Sequence, residues 1–536
     1  MNKIKKNAII LAAGFGSRLV PLTFKTPKGL VKIKDGHSMI ERQIIFLKQN
    51  GIDEIHIVVG YKAECFNEIA NKYNVNLIFN PDFDKSNSFI SLYKAKEYLQ
   101  NTYILNSDAW INSNFFNALN EKSFMTIIQN KSKSRNVYEW RTKFDENGKI
   151  TELKPCNLIE NDFYITGPVY FDHQTSIKYL DLAEQMFKDE SLAQNSYWEQ
   201  PIFELLQKTD IYINNQTNNV FEIDNLNDIK FVDSHEQSIV ENECFTEICQ
   251  LFHCKINDIK HVSSIKKGLT NNSFSFVLND TKYVYRSAGE GTENIVDRDR
   301  EQKVYSLIQS FEHAERIYHY NPVTYSKITY FETGSKNIDA YNFSQVKKCM
   351  SMIKKFHAKK YKLGQEFNIA QEINKYTKQV NKSLNLLLNE YIITEKINKI
   401  FTFVEKLKVD KFLSHIDFIP DNLLINQDGF VTLIDYEYAG DCDQLIDIAA
   451  FATSAFYNKD DLDKIIGYYF NQRQASRLKF IRIYAYMALL GYLWWIWTLA
   501  FIDKGNSIDT EYSQHMLNNA KFYTNLLENE YEEVFK

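Results

Sequence analysis

Four short apolar runs punctuate the first hundred or so residues: NAIILAA (Asn7 to Ala13), EIHIVVG (Glu54 to Gly60), NLIFN (Asn76 to Asn80) and TYILNSD (Thr102 to Asp108). They are continuous rather than alternating, which predicts strands buried on both faces. Between them lie helical patterns such as MIERQIIFLKQN, closed by Gly51. Strand–helix alternation of this kind predicts a mostly parallel sheet covered on both sides. Around VDSHEQSIVENE (Val232 to Glu243) the pattern weakens and polar residues dominate, marking a connector. After it, FSFVLND and KYVYRSA meet at a short turn and predict a β-hairpin. From about Ser344 the pattern is helical, except near residues 412 to 436. The expected organisation is therefore a domain at 1–235, a linker at 236–245 and a second domain at 246–536. The second divides into a small β-rich lobe (about 246–340) and a helical lobe (about 341–536).

Composition narrows the partners. At 536 residues the chain exceeds one ordinary core, and 44% hydrophobic residues can fill more than one. A formal net charge of −5 gives no basic field for nucleic acid. Seven scattered cysteines, an odd number, point to a reducing compartment and hence a cytoplasmic protein. Cys244, Cys249, His253 and Cys254 cluster, but their spacing fits no zinc pattern. The N-terminus runs straight into a strand and does not read as a signal peptide. One segment challenges a soluble reading: Ile483 to Ile502 carries no charge over a membrane-spanning length. Its three tryptophans sit mid-segment rather than at two interfaces, which favours a buried helix without stable membrane insertion.

The first chemical signal is a glycine turn. After the first strand come Gly14, Phe15 and Gly16, then the basic residues Arg18 and Lys28. Backbone amides at such a turn form a phosphate cradle. The dinucleotide fingerprint needs a further glycine where this chain has Leu19, so that fold is not indicated. The turn belongs to an ordered set: LAAGFGSRLVPLTFKTPKGL, NSFISLY, NSDAW, EWRTKFDENGKITELKP, YWEQPIFE and VFEIDNLND. Over about residues 7 to 230 this set resembles the sugar-1-phosphate and alcohol-phosphate nucleotidyltransferases, and within them bacterial CTP:phosphocholine cytidylyltransferases. The resemblance implies an α/β, Rossmann-like domain with a mixed, mostly parallel sheet. It implies that Leu11, Ala12, Ala13, Gly14, Gly16, Arg18, Lys28, Asn87 and Ser88 bind the nucleotide CTP. Lys28, Asp108 and Asp224 would be catalytic, the two aspartates sharing a magnesium ion. Trp140, Tyr197 and Trp198 would pack against a quaternary ammonium, with Glu199 as countercharge.

In the second half, LSHIDFIPDNLLI (Leu413 to Ile425) is followed by VTLIDYEYAG (Val431 to Gly440). Asp417 and Asn422 keep the five-residue spacing of a kinase catalytic loop, and Asp435 stands where the second metal-binding aspartate belongs. These loops resemble choline/ethanolamine kinases and aminoglycoside phosphotransferases, a two-lobed α+β kinase-like fold. The resemblance makes Asp417 the catalytic acceptor of a hydroxyl proton and gives Asn422 and Asp435 to magnesium on ATP. Upstream, Gly268 with Asn271, Asn272 and Ser273 would form the loop over ATP, and Arg286 would pair with Glu301. Asp447 would buttress the catalytic loop. Trp494 and Trp497 match the W-x-x-W of a choline cage and share one helix face, with Tyr512 as a further wall.

The joint expectation is a bifunctional enzyme using ATP, CTP and magnesium to turn choline into phosphocholine and then into CDP-choline. The alternative keeps the architecture and changes the amine to ethanolamine, or the phosphate to 2-aminoethylphosphonate. Oligomeric state is not legible in the sequence.

Overall fold

The computed structural model describes residues 5–535, apart from 118–120, 132–137, 234–236, 266–270, 290–295, 382, 384–385, 387–388, 472–474 and 504–509. The chain forms two compact units, Met1–Ile265 and Lys266–Lys536. Short helices at Gln237–Val240 and Glu243–Phe252 occupy the stretch where the sequence pattern weakens.

In the first unit, strand β1 (Asn7–Ala12) is buried at every position, as an unbroken apolar run requires. It pairs in parallel with β2 (Glu54–Val59) and with β4 (Thr102–Asn106), while β3 (Asn76–Phe79) extends the parallel half beyond β2. The other half is built from β6 (Phe124–Gln129), β9 (Phe163–Phe171) and β10 (Tyr212–Asn215), in the order β10-β6-β9-β4-β1-β2-β3. Strand β9 runs antiparallel to both β4 and β6, so the sheet is mixed. A hairpin of β7 (Tyr138–Phe144) and β8 (Ile150–Asn157) joins through β9. Helix α1 (Met39–Gln49) starts where the Ser38 hydroxyl accepts the Glu41 N–H at 3.2 Å. It ends at Gly51, whose φ of +73° suits glycine. Between β1 and β4 the strand order reverses, and their carboxyl ends open a crevice on one side of the sheet.

The second unit starts with the hairpin β12 (Asn271–Leu278) and β13 (Thr281–Ala288). Its turn residues Asn279 and Asp280 have φ of +49° and +59°, the double left-handed geometry that matches strand twist. Strands β14 (Ile317–Tyr320) and β15 (Lys327–Tyr330) continue the antiparallel sheet in the order β12-β13-β15-β14. Helices then dominate, interrupted by β16 (Phe412–Ser414), β17 (Leu423–Ile425), β18 (Val431–Leu433) and β19 (Gly440–Cys442), which carry the loops around residues 415–439.

The uncharged run lies within helix α2 (Arg477–Asp503), and 89% of its most apolar window is buried inside the unit. Its burial is two-sided, with Trp495 and Trp497 at 4% and 7% exposure. Helix α3 (Thr510–Glu530) crosses it at Gly491, where an added Cβ would lie 2.9 Å from the Met516 carbonyl oxygen and 2.9 Å from the Ala520 nitrogen. Both atoms are α3 backbone and cannot yield as a side chain would, and the Asn519 amide nitrogen crowds the same point at 3.0 Å. We predict that Gly491→Leu destabilises the second unit by about 1–3 kcal/mol through overpacking. Calorimetry should read this as a melting point lower by roughly 2 °C or more. An unchanged or higher melting point would show that the helices separate without loss.

Candidate active sites

The first site is assembled by a two-strand register. Strand β5 (Ala109–Ile111) pairs antiparallel with β11 (Val220–Glu222), setting Ala109 opposite Glu222. The Ile223 N–H donates to the Asp108 carbonyl at 3.0 Å. This brings Asp108 and Asp224 together although more than a hundred residues separate them. Lys28 bridges them, donating to Asp108 Oδ2 at 2.7 Å and to Asp224 Oδ1 at 3.0 Å, and Arg18 reaches Asp224 at 2.8 Å. Burial pulls the Lys28 ammonium down, but the two carboxylates outweigh it and hold its pKa above the ordinary value. Gly16 is required here: its φ is +71°, and a Cβ would meet Lys28 Cβ at 2.7 Å.

These groups line one cavity of about 620 Å³. Leu11, Ala13, Gly14 and Gly16 form one wall, and Asn87 and Ser88 contribute from the start of a helix (Ser88–Lys94). Ala12 is buried beside them in β1. Trp140, Tyr197, Trp198 and Glu199 line the same space. Trp198 is fixed by its indole N–H to Asn106 Oδ1 at 3.2 Å and by its backbone N–H to Ser88 Oγ at 3.1 Å. Glu199 is 8% exposed, and its Oε2 has no hydrogen-bond partner. Burial, reinforced by the charges of Glu139 and Asp108, pushes its pKa up to about 8. The sequence reading missed Glu139 and Glu222. Their carboxylate oxygens and that of Asp224 lie within 4.8 Å of one another. Burial with the neighbouring acids raises Glu222 well above the usual carboxylate range, and Thr166 donates to it at 2.7 Å.

The second site lies on the loops that follow β16 and β18. Asn422 donates from Nδ2 to Asp417 Oδ2 at 2.7 Å and to its carbonyl at 3.0 Å. Burial, then the charges of Asp435 and Glu437, push the Asp417 carboxyl up to about 8. Ile416, a β-branched residue, has φ of +67°, a conformation that costs about 1–3 kcal/mol. Asp447, fully buried, holds it: its two oxygens accept the N–H groups of Ile416 at 2.7 Å and His415 at 3.0 Å. His357 completes this support with Nε2 2.9 Å from Asp447. His415 is kept neutral by burial, its pKa brought down to about 4, and its Nε2 lies 3.1 Å from the Ile434 carbonyl.

Arg286, on β13, donates to both Glu301 and Asp435. Burial opposes its charge, yet these acids hold its pKa well above the ordinary value, and Arg286 in turn helps bring Glu301 down to about 2 despite burial. Asn271, Asn272 and Ser273 open β12 rather than lying in a loop. The Asn271 side chain is tied to Arg298 at 2.8 Å and to Glu437 at 2.8 Å. Gly268 lies outside the described residues. Trp494 meets Trp497 edge-on at 6.1 Å and Tyr438, which the sequence reading did not single out, at 5.7 Å. Tyr512 stands edge-on to Phe456 at 6.2 Å. Burial raises the Tyr512 phenol, and the charge of Asp417 adds to the effect.

Both sites offer hard oxygen donors of the kind magnesium takes. In the first, the acids Asp108, Asp224, Glu139 and Glu222 gather around two cations, Lys28 and Arg18. In the second, the cations Arg286, Arg298 and Lys327 interact with Glu301, Glu315, Asp435 and Glu437, while Asp417 adds a further acid. This acid excess, with one carboxyl pushed up, fits a divalent cation.

Comparison with known proteins agrees with this division. Residues 7–179 match the nucleotidyl transferase family and residues 262–488 the choline/ethanolamine kinase family. The choline-phosphate cytidylyltransferase of Streptococcus pneumoniae is 30% identical over 240 residues, 44% of this chain and 99% of that protein. Protein LicA of Haemophilus influenzae is 24% identical over 256 residues, 45% of this chain and 73% of that protein. The structure of the choline kinase LicA from Streptococcus pneumoniae aligns over 55% of this chain and 99% of its own, with 20% identity and a TM-score of 0.47. The chain belongs to the nucleotidyl transferase family through its first half, and its second half matches the choline/ethanolamine kinase family.

Proposed function

We propose that this chain makes CDP-choline in two steps, each carried by one unit. In the second unit the choline hydroxyl oxygen bonds to the γ-phosphorus of ATP, the bond to the ADP oxygen breaks, and the hydroxyl proton passes to Asp417. In the first unit a phosphate oxygen of phosphocholine bonds to the α-phosphorus of CTP, and pyrophosphate leaves. The observation that carries the reading is a pairing found in each unit: acids and cations suited to phosphoryl groups, beside aromatic rings and a carboxyl of raised pKa suited to a quaternary ammonium.

Both reactions join anionic partners, so charge neutralisation and in-line placement supply most of the acceleration. Arg18 and Lys28 face the phosphates of CTP, and the amides around Gly14 and Gly16 approach them without side-chain obstruction. We assign reading of the base to Asn87 and Ser88, which line the same cavity. Magnesium would be held by Asp108 and Asp224 in one site and by Asn422 and Asp435 in the other, and would supply charge neutralisation on the phosphates. Asp417, held by Asn422, orients the hydroxyl and takes its proton.

Trimethylammonium has no N–H to donate, so recognition falls to aromatic faces and carboxylates. A desolvated cation–π contact contributes about 2 kcal/mol. Trp140, Tyr197 and Trp198 with Glu199 supply this in the first unit, and Trp494, Trp497 and Tyr512 in the second. Ethanolamine would leave its N–H donors short of acceptors at such walls. The seven free thiols suit work in a reducing cytoplasm.

The two activities should separate by mutation. Asp224→Ala is expected to abolish CTP-dependent conversion of supplied phosphocholine while leaving ATP-dependent phosphorylation of choline intact. Asp417→Asn should do the reverse, lowering the kinase rate by at least about a hundredfold. Parallel loss of both activities in either folded variant would refute the two-site assignment.

Glu199 gives a pH test. Its folded-state pKa lies above its unfolded value, so the native unit binds more protons than the unfolded chain between about pH 4.5 and 8, and stability from this group falls as pH rises through that window. Glu199→Gln removes the cost of ionising it. We expect its melting point, relative to wild type, to be higher at pH 8 than at pH 5 by at least about 2 °C, roughly 1 kcal/mol. The KM for phosphocholine should rise about tenfold at pH 8 with the loss of the countercharge. An equal melting difference at both pH values, or an unchanged KM, would remove Glu199 from this role.

A further inference from the structure

Glu315 lies outside every motif that the sequence singled out. Its segment runs beside β18, with the Leu433 N–H donating to the His313 carbonyl at 2.7 Å and the Glu315 N–H to the Leu433 carbonyl at 3.1 Å. These two bonds place the Glu315 side chain beside the residues that follow β18, among them Asp435. One oxygen, Glu315 Oε1, accepts the Asp435 backbone N–H at 2.9 Å and the Lys327 ammonium at 2.8 Å. The Tyr305 hydroxyl donates to the same oxygen. The Glu315 and Lys327 side chains are only 9% and 3% exposed.

Asp435 needs such a hold. Its φ is +66°, in the left-handed region that residues with a Cβ seldom adopt. Arg286 grips its carboxylate, and register places Lys327 directly opposite Arg286 across the ladder between β13 and β15. The two cations thus act on the same aspartate from neighbouring strands, Arg286 on its side chain and Lys327 through Glu315 on its backbone.

We propose that Glu315 is a positioning residue of the kinase reaction, holding the Asp435 backbone in its left-handed conformation so that the Asp435 carboxylate faces the metal–nucleotide. Lys327 and Tyr305 orient Glu315 for this task. The proposal rests on the reading of Asp435 as a magnesium ligand, and on the acceptor oxygen rather than the charge of Glu315.

The test compares ADP affinity with and without magnesium, measured by titration calorimetry on the full chain. The gain in affinity on adding magnesium reports metal placement, while affinity without metal reports the nucleotide site alone. Two double variants remove the Lys327 cation, so that no buried charge is stranded. Glu315→Gln with Lys327→Met keeps an oxygen that can accept the Asp435 N–H; Glu315→Ala with Lys327→Met does not. The first should keep the magnesium gain within about threefold of wild type, and the second should lose at least about tenfold of it, with metal-free ADP affinity unchanged in both. Equal gains in the two double variants, or a tenfold loss in the glutamine variant, would overturn the proposal. The glutamine variant decides by itself if the alanine variant fails to fold. Asp435→Asn checks the underlying reading separately: it should abolish the gain, and a retained gain would remove Asp435 as ligand and the proposal with it.

Discussion

A buried cation clamped between two carboxylates is the arrangement on which both halves of this chain depend. Lys28 between Asp108 and Asp224, and Arg286 between Glu301 and Asp435, have side chains only 12% and 7% exposed. Burial works against the charge of both cations, and the carboxylates that face them outweigh it. That contact also dictates chain geometry. In the first unit it requires β5 and β11 to pair in one register; in the second it ties a strand of the small sheet to the loop beyond β18. Removing one member would leave the others short of a counterion, so the same contact serves both the fold and the phosphate chemistry.

Under the proposed function, the two units solve the same recognition problem differently around this arrangement. The first sets Trp140, Tyr197 and Trp198 on the wall of an open cavity and keeps Glu199 without a partner on Oε2, an acid available to a cation that cannot donate hydrogen bonds. The second uses a helix interior, where Trp494 and Trp497 stand three residues apart and Tyr438 closes on Trp494 from the loop carrying Asp435. In both, acids of raised pKa lie beside aromatic faces. A permanent positive charge in the ligand would lower the cost of ionising them, so binding the amine and charging the site reinforce one another.

Much of this was legible in the sequence because it is local. The unbroken run Asn7 to Ala13 followed by glycines announced a buried strand ending in a tight turn, and the Asn279–Asp280 hairpin is a matter of adjacent dihedral angles. The spacing of Asp417 and Asn422 survives as a direct hydrogen bond. The apolar run within α2 was ambiguous by length and composition, and only the packing of α3 against Gly491 shows what its faces meet. What escaped the reading depends on register between distant segments. Glu222 looks like any acid in a short strand until β11 pairs with β5, and Glu315 and Lys327 gain meaning only when β15 lies against β13. The family resemblance puts Asn271 to Ser273 in a loop over ATP, whereas sheet pairing extends through all three.

The central claim is that one chain carries a phosphoryl group from ATP onto choline and then into a cytidine diphosphate ester. The most direct measurement supplies the wild-type protein with ATP labelled with heavy oxygen in its γ-phosphoryl group, together with CTP, magnesium and equal amounts of choline and ethanolamine, and resolves the products by mass. The account predicts CDP-choline carrying the label, formed in preference to CDP-ethanolamine by at least about tenfold. Predominant CDP-ethanolamine, or CDP-choline that forms only when phosphocholine is supplied, would contradict it.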